Sequence, residues 1–255
     1  MLTIERRNKI LEILKRDGRV VVSDLSAMFG VTEETIRRDL EKLEKEGFAK
    51  KTYGGAIIVE NANVDLPYMV RKESNVEGKE YIAEVISSLI EDGDHIMLDA
   101  SSTAVYIAKH LKHKKNLTLI TNSLEILLEL SDVTGWKILS TGGTLREGSL
   151  SLVGYQAEKM ISTYHVDKAI ISCKGVDIEK GITDSNEMDA HIKNLMLEAT
   201  NMKILAVDSS KFEKISFTKI DDLSSIDVVV TDVEPSDRWK KTFETLNIQA
   251  TYKEN

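Results

Sequence analysis

The sequence predicts a two-part α/β protein, with a small helical head followed by a larger domain built on a parallel sheet. Three observations carry this expectation. Between residues 3 and 59, helical periodicity, a glycine turn and a basic hairpin follow one another in the order of a DNA-binding head. From His95 onward seven apolar runs alternate with helical stretches, the pattern of strands covered by helices on both faces. Charge divides along the same line: residues 1–60 hold twelve basic and eleven acidic side chains, and the rest carries −9 of a total of −8.

Thr3 to Arg16 is an amphipathic helix whose Ile4, Ile10, Leu11, Ile13 and Leu14 supply a core face. Ser23 is expected to cap a short helix, SDLSAMFG, with Leu25 and Phe29 inward, and Gly30 with Val31 forms the turn after it. The next helix, VTEETIRRDLEKLEKEG, has Thr32 as N-cap, Glu33 and Glu34 at the positive end of the helix dipole and Gly47 as its stop. Ile36, Leu40 and Leu43 form one apolar stripe, leaving Thr35, Arg37 and Arg38 to project outward. FAKKTYGGAIIVE then reads as two short strands around Gly54 and Gly55, with Lys50 and Lys51 available to phosphates. The whole is a winged helix-turn-helix. Its expected DNA-facing set is Ser23, Thr32, Glu34, Thr35, Arg37, Arg38, Lys50, Lys51, Tyr53, Gly54 and Gly55.

IRRDLEKLEKEG followed by KKTYGGA resembles the N-terminal signature of the DeoR family of bacterial transcriptional regulators, and the resemblance extends over nearly the whole chain. Tyr53 stands where that family's wing usually has histidine.

The expected organisation is a head over residues 1–60, a linker over 61–78 containing Pro67 and Gly78, and an α/β domain over 79–255. The domain opens with the amphipathic helix KEYIAEVISSLIEDG, and the strand runs are HIMLDA, LTLIT, WKILST, DKAIISC, KILAVD, DVVVTD and IQATY, a Rossmann-like arrangement. Ligands of such sheets sit beyond the carboxyl ends of the strands. Those ends here are small and polar. Asp99 to Thr103 and Thr121 to Ser123 place hydroxyls and free N–H groups at helix N-termini, suited to an anion. Gly142 and Gly143 permit close backbone approach, Lys174 and Lys211 supply ammonium groups, and Asp184 and Glu187 are expected to cover the mouth.

The runs DASST, TNS, TGG, KGVD, the segment around Glu187 and Lys193, and DSSKF resemble effector-domain motifs of the same family, whose fold is similar to ribose-phosphate isomerases and coenzyme A transferases. The resemblance implies a phosphorylated sugar or related metabolite as effector. Carried over by position, its ligands are Asp99, Ser101, Ser102, Thr103, Thr121, Asn122, Gly142, Gly143, Lys174, Gly175, Glu187 and Lys211. The family's first loop is commonly Asp-x-Gly-Thr-Thr, and here Ser101-Ser102-Thr103 replaces its last three residues.

A single cysteine, Cys173, rules out an intrachain disulfide and a cysteine-rich zinc site, and His110 and His113 lack the partners a metal needs. No metal or cofactor is expected. Without a signal pattern or an apolar run of about 18 residues, the chain is expected in the cytoplasm, off the membrane. The function expected is a repressor of a sugar-utilisation operon, a homo-oligomer (dimer or tetramer) bound to operator DNA. Two alternatives stand beside it: an isomerase-like enzyme with a fused DNA-binding head, and an activator that needs its ligand to bind DNA.

Overall fold

The computed structural model describes residues 2–59 and 67–254, and the chain divides into two compact units, Met1–Ser74 and Asn75–Asn255. The N-terminal unit runs α1 (Thr3–Asp17), β1 (Arg19–Val21), α2 (Val22–Phe29), α3 (Glu33–Lys45), β2 (Ala49–Thr52), β3 (Gly55–Ile58) and α4 (Tyr68–Glu73). Ile10, Leu11, Leu14, Leu25, Ile36, Leu40 and Leu43 meet in one core, with Ile13 and Phe29 partly buried against it, whereas Ile4, expected on the same face, is exposed in the first turn of α1.

The wing has three strands where two were expected, in the order β1-β3-β2, because Arg19–Val21 pairs antiparallel with β3. Gly55 makes this possible: a Cβ there would lie 2.0 Å from the carbonyl oxygen of Val20. Gly54 turns the hairpin with φ +89°, a left-handed angle that glycine adopts without strain. Ser23 is not the cap of α2; the N-cap falls two residues earlier, at Val21, which is also the last residue of β1. Part of the expected linker is structured as well. In α4, Val70 is fully buried in the head's core, and a six-residue helix is too short to show its period in sequence. Residues 60–66 of that linker lie outside the described residues.

The C-terminal unit begins with α5 (Val76–Leu89), three residues before the predicted start. There follow β4 (His95–Leu98), α6 (Ser102–Leu111), β5 (Thr118–Thr121), α7 (Leu124–Glu129), β6 (Lys137–Ser140), β7 (Thr144–Arg146), β8 (Ser151–Val153), α8 (Tyr155–Ile161) and β9 (Val166–Ile171). The remainder is β10 (Gly175–Asp177), β11 (Gly181–Asp184), α9 (Glu187–Glu198), β12 (Thr200–Ala206), β13 (Thr218–Asp221), β14 (Val228–Val230), α10 (Asp237–Thr245) and β15 (Gln249–Thr251).

All seven predicted runs are strands of one parallel sheet, ordered β15-β14-β12-β9-β4-β5-β6. Two small antiparallel sheets were not foreseen: β10-β11-β13 and the hairpin β7-β8. Their strands are three or four residues long, below the length at which alternation is legible. Chain order in the main sheet reverses between β4 and β9, so the crevice at the carboxyl ends of these two strands is the topological switch point.

Candidate DNA-reading face and sensor site

In α3 the buried side is Ile36, Asp39, Leu40 and Leu43, which leaves Glu33, Glu34, Arg37, Arg38 and Glu41 exposed. Thr32 caps the helix as expected, accepting from the Thr35 amide at 3.3 Å. Arg37 pairs with Glu33 at 2.6 Å and Arg38 with Glu34 at 3.2 Å, each one helical turn back. Exposed pairs of this kind contribute at most about 1 kcal/mol, so a phosphate or base edge can displace them. Lys51 pairs with Glu41 at 2.9 Å, which joins the wing to the helix, while Lys50 is exposed and Tyr53 stands fully exposed at the tip.

A charge that the sequence reading passed over fixes α3 on α1. Arg6 donates Nε to Asp39 Oδ2 at 2.6 Å, both side chains being more than nine-tenths buried. The signal was legible: Asp39 lies three residues after Ile36 and Arg6 four before Ile10, so each helix carries one charge on its apolar face.

In the C-terminal unit the switch point holds a buried ionic cluster. Lys193, from α9, lies 2.5 Å from Asp184 Oδ2 at the end of β11 and 3.4 Å from Asp99 Oδ2 at the end of β4. Asp99 Oδ2 also accepts from the Ser172 amide after β9, while its Oδ1 accepts from Ser101. Asp99 therefore ties together the two strands between which the order reverses. Burial works against charge on Lys193, but Asp184 and Asp99 outweigh it and hold its pKa above the ordinary lysine value. Burial likewise opposes ionisation of Asp184, and Lys193 with Lys174 overcomes it, holding that carboxyl below its usual range. Asp184 was expected over the mouth of the site. It is instead 1% exposed, because Lys193 draws it inward.

The other strand ends lie along the same carboxyl edge of the sheet. Ser101 caps α6, accepting from the Ala104 amide, and Ser102 and Thr103 are buried beside it. Thr121 turns its hydroxyl onto the Leu98 carbonyl at 2.8 Å and accepts from the Ser123 amide, so it fastens β5 to β4. Asn122 donates Nδ2 to the Leu152 carbonyl at 3.2 Å, and its buried Oδ1 has no hydrogen-bond partner among the described residues. Gly143 has a packing reason for its identity, since a Cβ would lie 2.6 Å from the Val153 carbonyl oxygen; Gly142 beside it has φ +64°. Gly175 would meet the Lys214 carbonyl oxygen at 2.3 Å.

Lys174 is half-buried next to Cys173, whose thiol is pushed up to about 12 by burial and is inert. Asp208 is buried, which opposes its charge, but Lys211, Ser210 and Lys79 hold it below the usual carboxylate range. Glu187 is exposed in the first turn of α9. Two residues on, Asp189 accepts from Ser151 at 2.8 Å and pairs with Arg146 at 2.7 Å, linking the β7-β8 hairpin to α9. Asp189 and Arg146 were not anticipated, because the hairpin that brings them together was not.

A winged helix-turn-helix on one unit and a polar, partly unsatisfied crevice at a sheet's switch point on the other define a DNA-binding transcriptional regulator with a sensor domain. The DeoR-like helix-turn-helix domain matches residues 6–62 and the DeoR C-terminal sensor domain matches residues 74–233. The chain belongs to the DeoR family of transcriptional regulators. It is 42% identical over 98% of its length to the HTH-type transcriptional regulator YulB of Bacillus subtilis (strain 168), covering 97% of that protein. It is 36% identical over 90% of its length to a putative aga operon transcriptional repressor of Escherichia coli O157:H7, covering 86% of it. Among solved structures, ribose 5-phosphate isomerase A of Methanocaldococcus jannaschii overlaps at TM-score 0.41 and 18% identity, over 55% of each chain.

Proposed function

We propose that the chain represses a sugar-utilisation operon and that a phosphorylated sugar, held at the β4/β9 switch point, modulates its grip on operator DNA. The observation that carries the sensor half is the buried polar wall of Asp99, Asn122, Asp184 and Lys193, with the Asn122 Oδ1 unsatisfied. Carboxylates and an amide oxygen accept from sugar hydroxyls, and a buried acceptor without a partner is costly until a ligand supplies a donor. Lys174 and Lys211, with the N-terminus of α6, suit the phosphate. The relative named as a putative aga operon repressor supports the sugar-operon reading. Operator palindromy would match a homo-oligomer that presents two heads.

Of the carboxylates an isomerase reading could use as its base, Asp177, Asp184 and Glu187, the cluster disfavours Asp184. A general base works best with a pKa near the operating pH, whereas Asp184 is held low by Lys193 and offers a poor proton acceptor.

The test is the thermal midpoint of the full chain against phosphorylated sugars and their unphosphorylated parents, with Lys211→Ala beside it. A ligand at 100 times its dissociation constant stabilises by about 2.7 kcal/mol, and the shift should vanish in the variant. Duplexes selected from a random pool then give operator affinity with and without that sugar: weaker binding with ligand supports a repressor released by it, tighter binding an activator. Sustained turnover of the sugar would establish an enzyme instead. On the same duplexes Arg38→Ala should cost about 1 to 3 kcal/mol and relax one operator position.

A further inference from the structure

The sensor unit begins at Asn75, and the way its first helix starts is unusual. Asn75 is the N-cap of α5 and sits in the left-handed region at φ +48°, yet its side chain makes no capping bond. Asparagine at an N-cap normally satisfies an orphan amide of the first turn. Here Nδ2 is turned away and donates to Asp232 Oδ2, after β14, at 2.8 Å. The other carboxylate oxygen, Oδ1, accepts from the Ser209 amide at 2.6 Å. Ser209 opens the turn Ser209–Lys211, which carries the lysine of the sensor site and is capped by the buried Asp208.

Two further features hold this arrangement in place. Gly78, in the first turn of α5, has no room for a side chain, since a Cβ would lie 2.4 Å from Asp232 Oδ2 and 2.5 Å from Asn75 Nδ2. Lys79, next along, is 3% exposed and close enough to act on Asp208. The start of α5 therefore reaches the 208–211 loop through Asp232, and the charge of Lys79 favours the Asp208 carboxylate.

We propose that Asp232 is a positioning residue that couples the 208–211 loop of the sensor site to Asn75, the residue from which the chain runs back to the DNA-binding unit. This rests on the reading of that loop as part of the effector site. When a phosphate draws Lys211, the Ser209 amide moves with its turn. Asp232 must then follow it or release it, and either changes the hold on the Asn75 side chain. Asn75 tolerates its left-handed conformation, but its side chain is spent on Asp232 and does not cap α5, so a shift of that carboxylate acts directly on the residue that opens the helix.

The test uses the full chain. Without DNA or ligand, amide hydrogen exchange reads the link directly: Asn75→Ala should speed exchange of the Ser209 amide by about tenfold or more. In the other direction Ser209→Pro deletes that backbone donor together with the exposed Ser209 hydroxyl, and Asp208 before it is already extended at φ −75° and ψ 158°, the geometry a following proline requires. It should speed exchange of the Lys79 amide, which bonds the Asn75 carbonyl at 3.1 Å. Unchanged exchange at the far end in both variants overturns the link.

With ribose 5-phosphate, fructose 6-phosphate and glycerol 3-phosphate as probes, the ratio of operator affinities with and without ligand is then measured. Wild-type protein should show a ratio of about 5 to 150, the usual range of allosteric coupling. Asn75→Ala should bring it close to one while the thermal shift by the same probe is retained. The reciprocal exchange, Asn75→Asp with Asp232→Asn, leaves an amide and a carboxylate facing each other and should restore the ratio. A ratio that survives Asn75→Ala refutes the coupling. If no probe shifts the wild-type midpoint, the sugar-phosphate reading falls, and hydrogen exchange alone decides on the link.

Discussion

In the DNA-binding unit the buried charge is a closed pair, Arg6 on Asp39, joining two helices of one core. In the sensor unit one lysine, Lys193, stands between two carboxylates, Asp99 and Asp184. The first arrangement balances its charges and asks nothing of a ligand. The second sets two carboxylates against one lysine, so its charges do not balance within the cluster. Buried charge thus fixes α3 on α1 in one unit, and in the other it ties the ends of β4 and β11 to α9 at the switch point.

The comparison can be broken at its largest difference by Lys193→Met. Removing one partner of a buried ion pair typically costs about 3 to 5 kcal/mol, and here two carboxylates are stranded. Both tryptophans, Trp136 and Trp239, lie in the sensor unit, so urea unfolding followed by their fluorescence reads that unit alone. Adding Asp184→Asn should recover only part of the loss, because Asp99 remains. Full recovery would make the cluster a pair like the other one.

Arg6→Met should cost the DNA-binding unit about 3 kcal/mol, whereas Arg6→Met with Asp39→Leu should return to within about 1 kcal/mol of wild type, since an apolar replacement of a balanced pair is often neutral. Hydrogen exchange of the α1 and α3 amides checks it. If the double variant stays as unstable as the single one, the pair is more than a closed mechanical contact.

Acid sharpens the contrast. Asp184 and Asp208 have folded pKa values below their unfolded ones, so their stabilisation is complete above about pH 4 and is lost as pH falls through the depressed folded values. Lys193 is raised, so its contribution is complete below about pH 10 and is lost only as pH rises through its higher folded value. The tryptophan-monitored urea midpoint should therefore decline with acid only below about pH 4 on account of these groups. A decline that had already begun at pH 6 would point to other titrating groups. The smallest effect expected is Thr32→Ala, about 1 kcal/mol from the lost N-cap of α3, read by the exchange of the Thr35 amide.

Much of the fold was legible in the sequence because its signals are long or local. The stripe of Ile36, Leu40 and Leu43 fixes the buried face of α3, and Thr32 fixes its start, through contacts within a few residues of chain. Apolar runs such as HIMLDA and DVVVTD mark the seven parallel strands, since a strand covered on both faces has to be apolar throughout. The polar strand ends followed from the same alternation, and with them Asp99, Asn122, Lys174 and Lys211 as candidates for the site.

Only the tertiary structure decided which of these residues meet. Short strands such as β1, β7 and β10 carry no period of their own and form where a partner strand is already in place. It was through them that Val21 took the cap assigned to Ser23, and that Arg146 met Asp189. Lys193 lies nine residues from Asp184 and ninety-four from Asp99, and Asn75 is 157 residues from Asp232. Contacts at such separations depend on strand order and crossover, which local sequence does not encode. The sequence by itself determined the secondary structure of the long elements and the polar character of the strand ends; the tertiary packing of α9 and α5 determined which charges meet there and how the 208–211 loop connects to the start of the sensor unit.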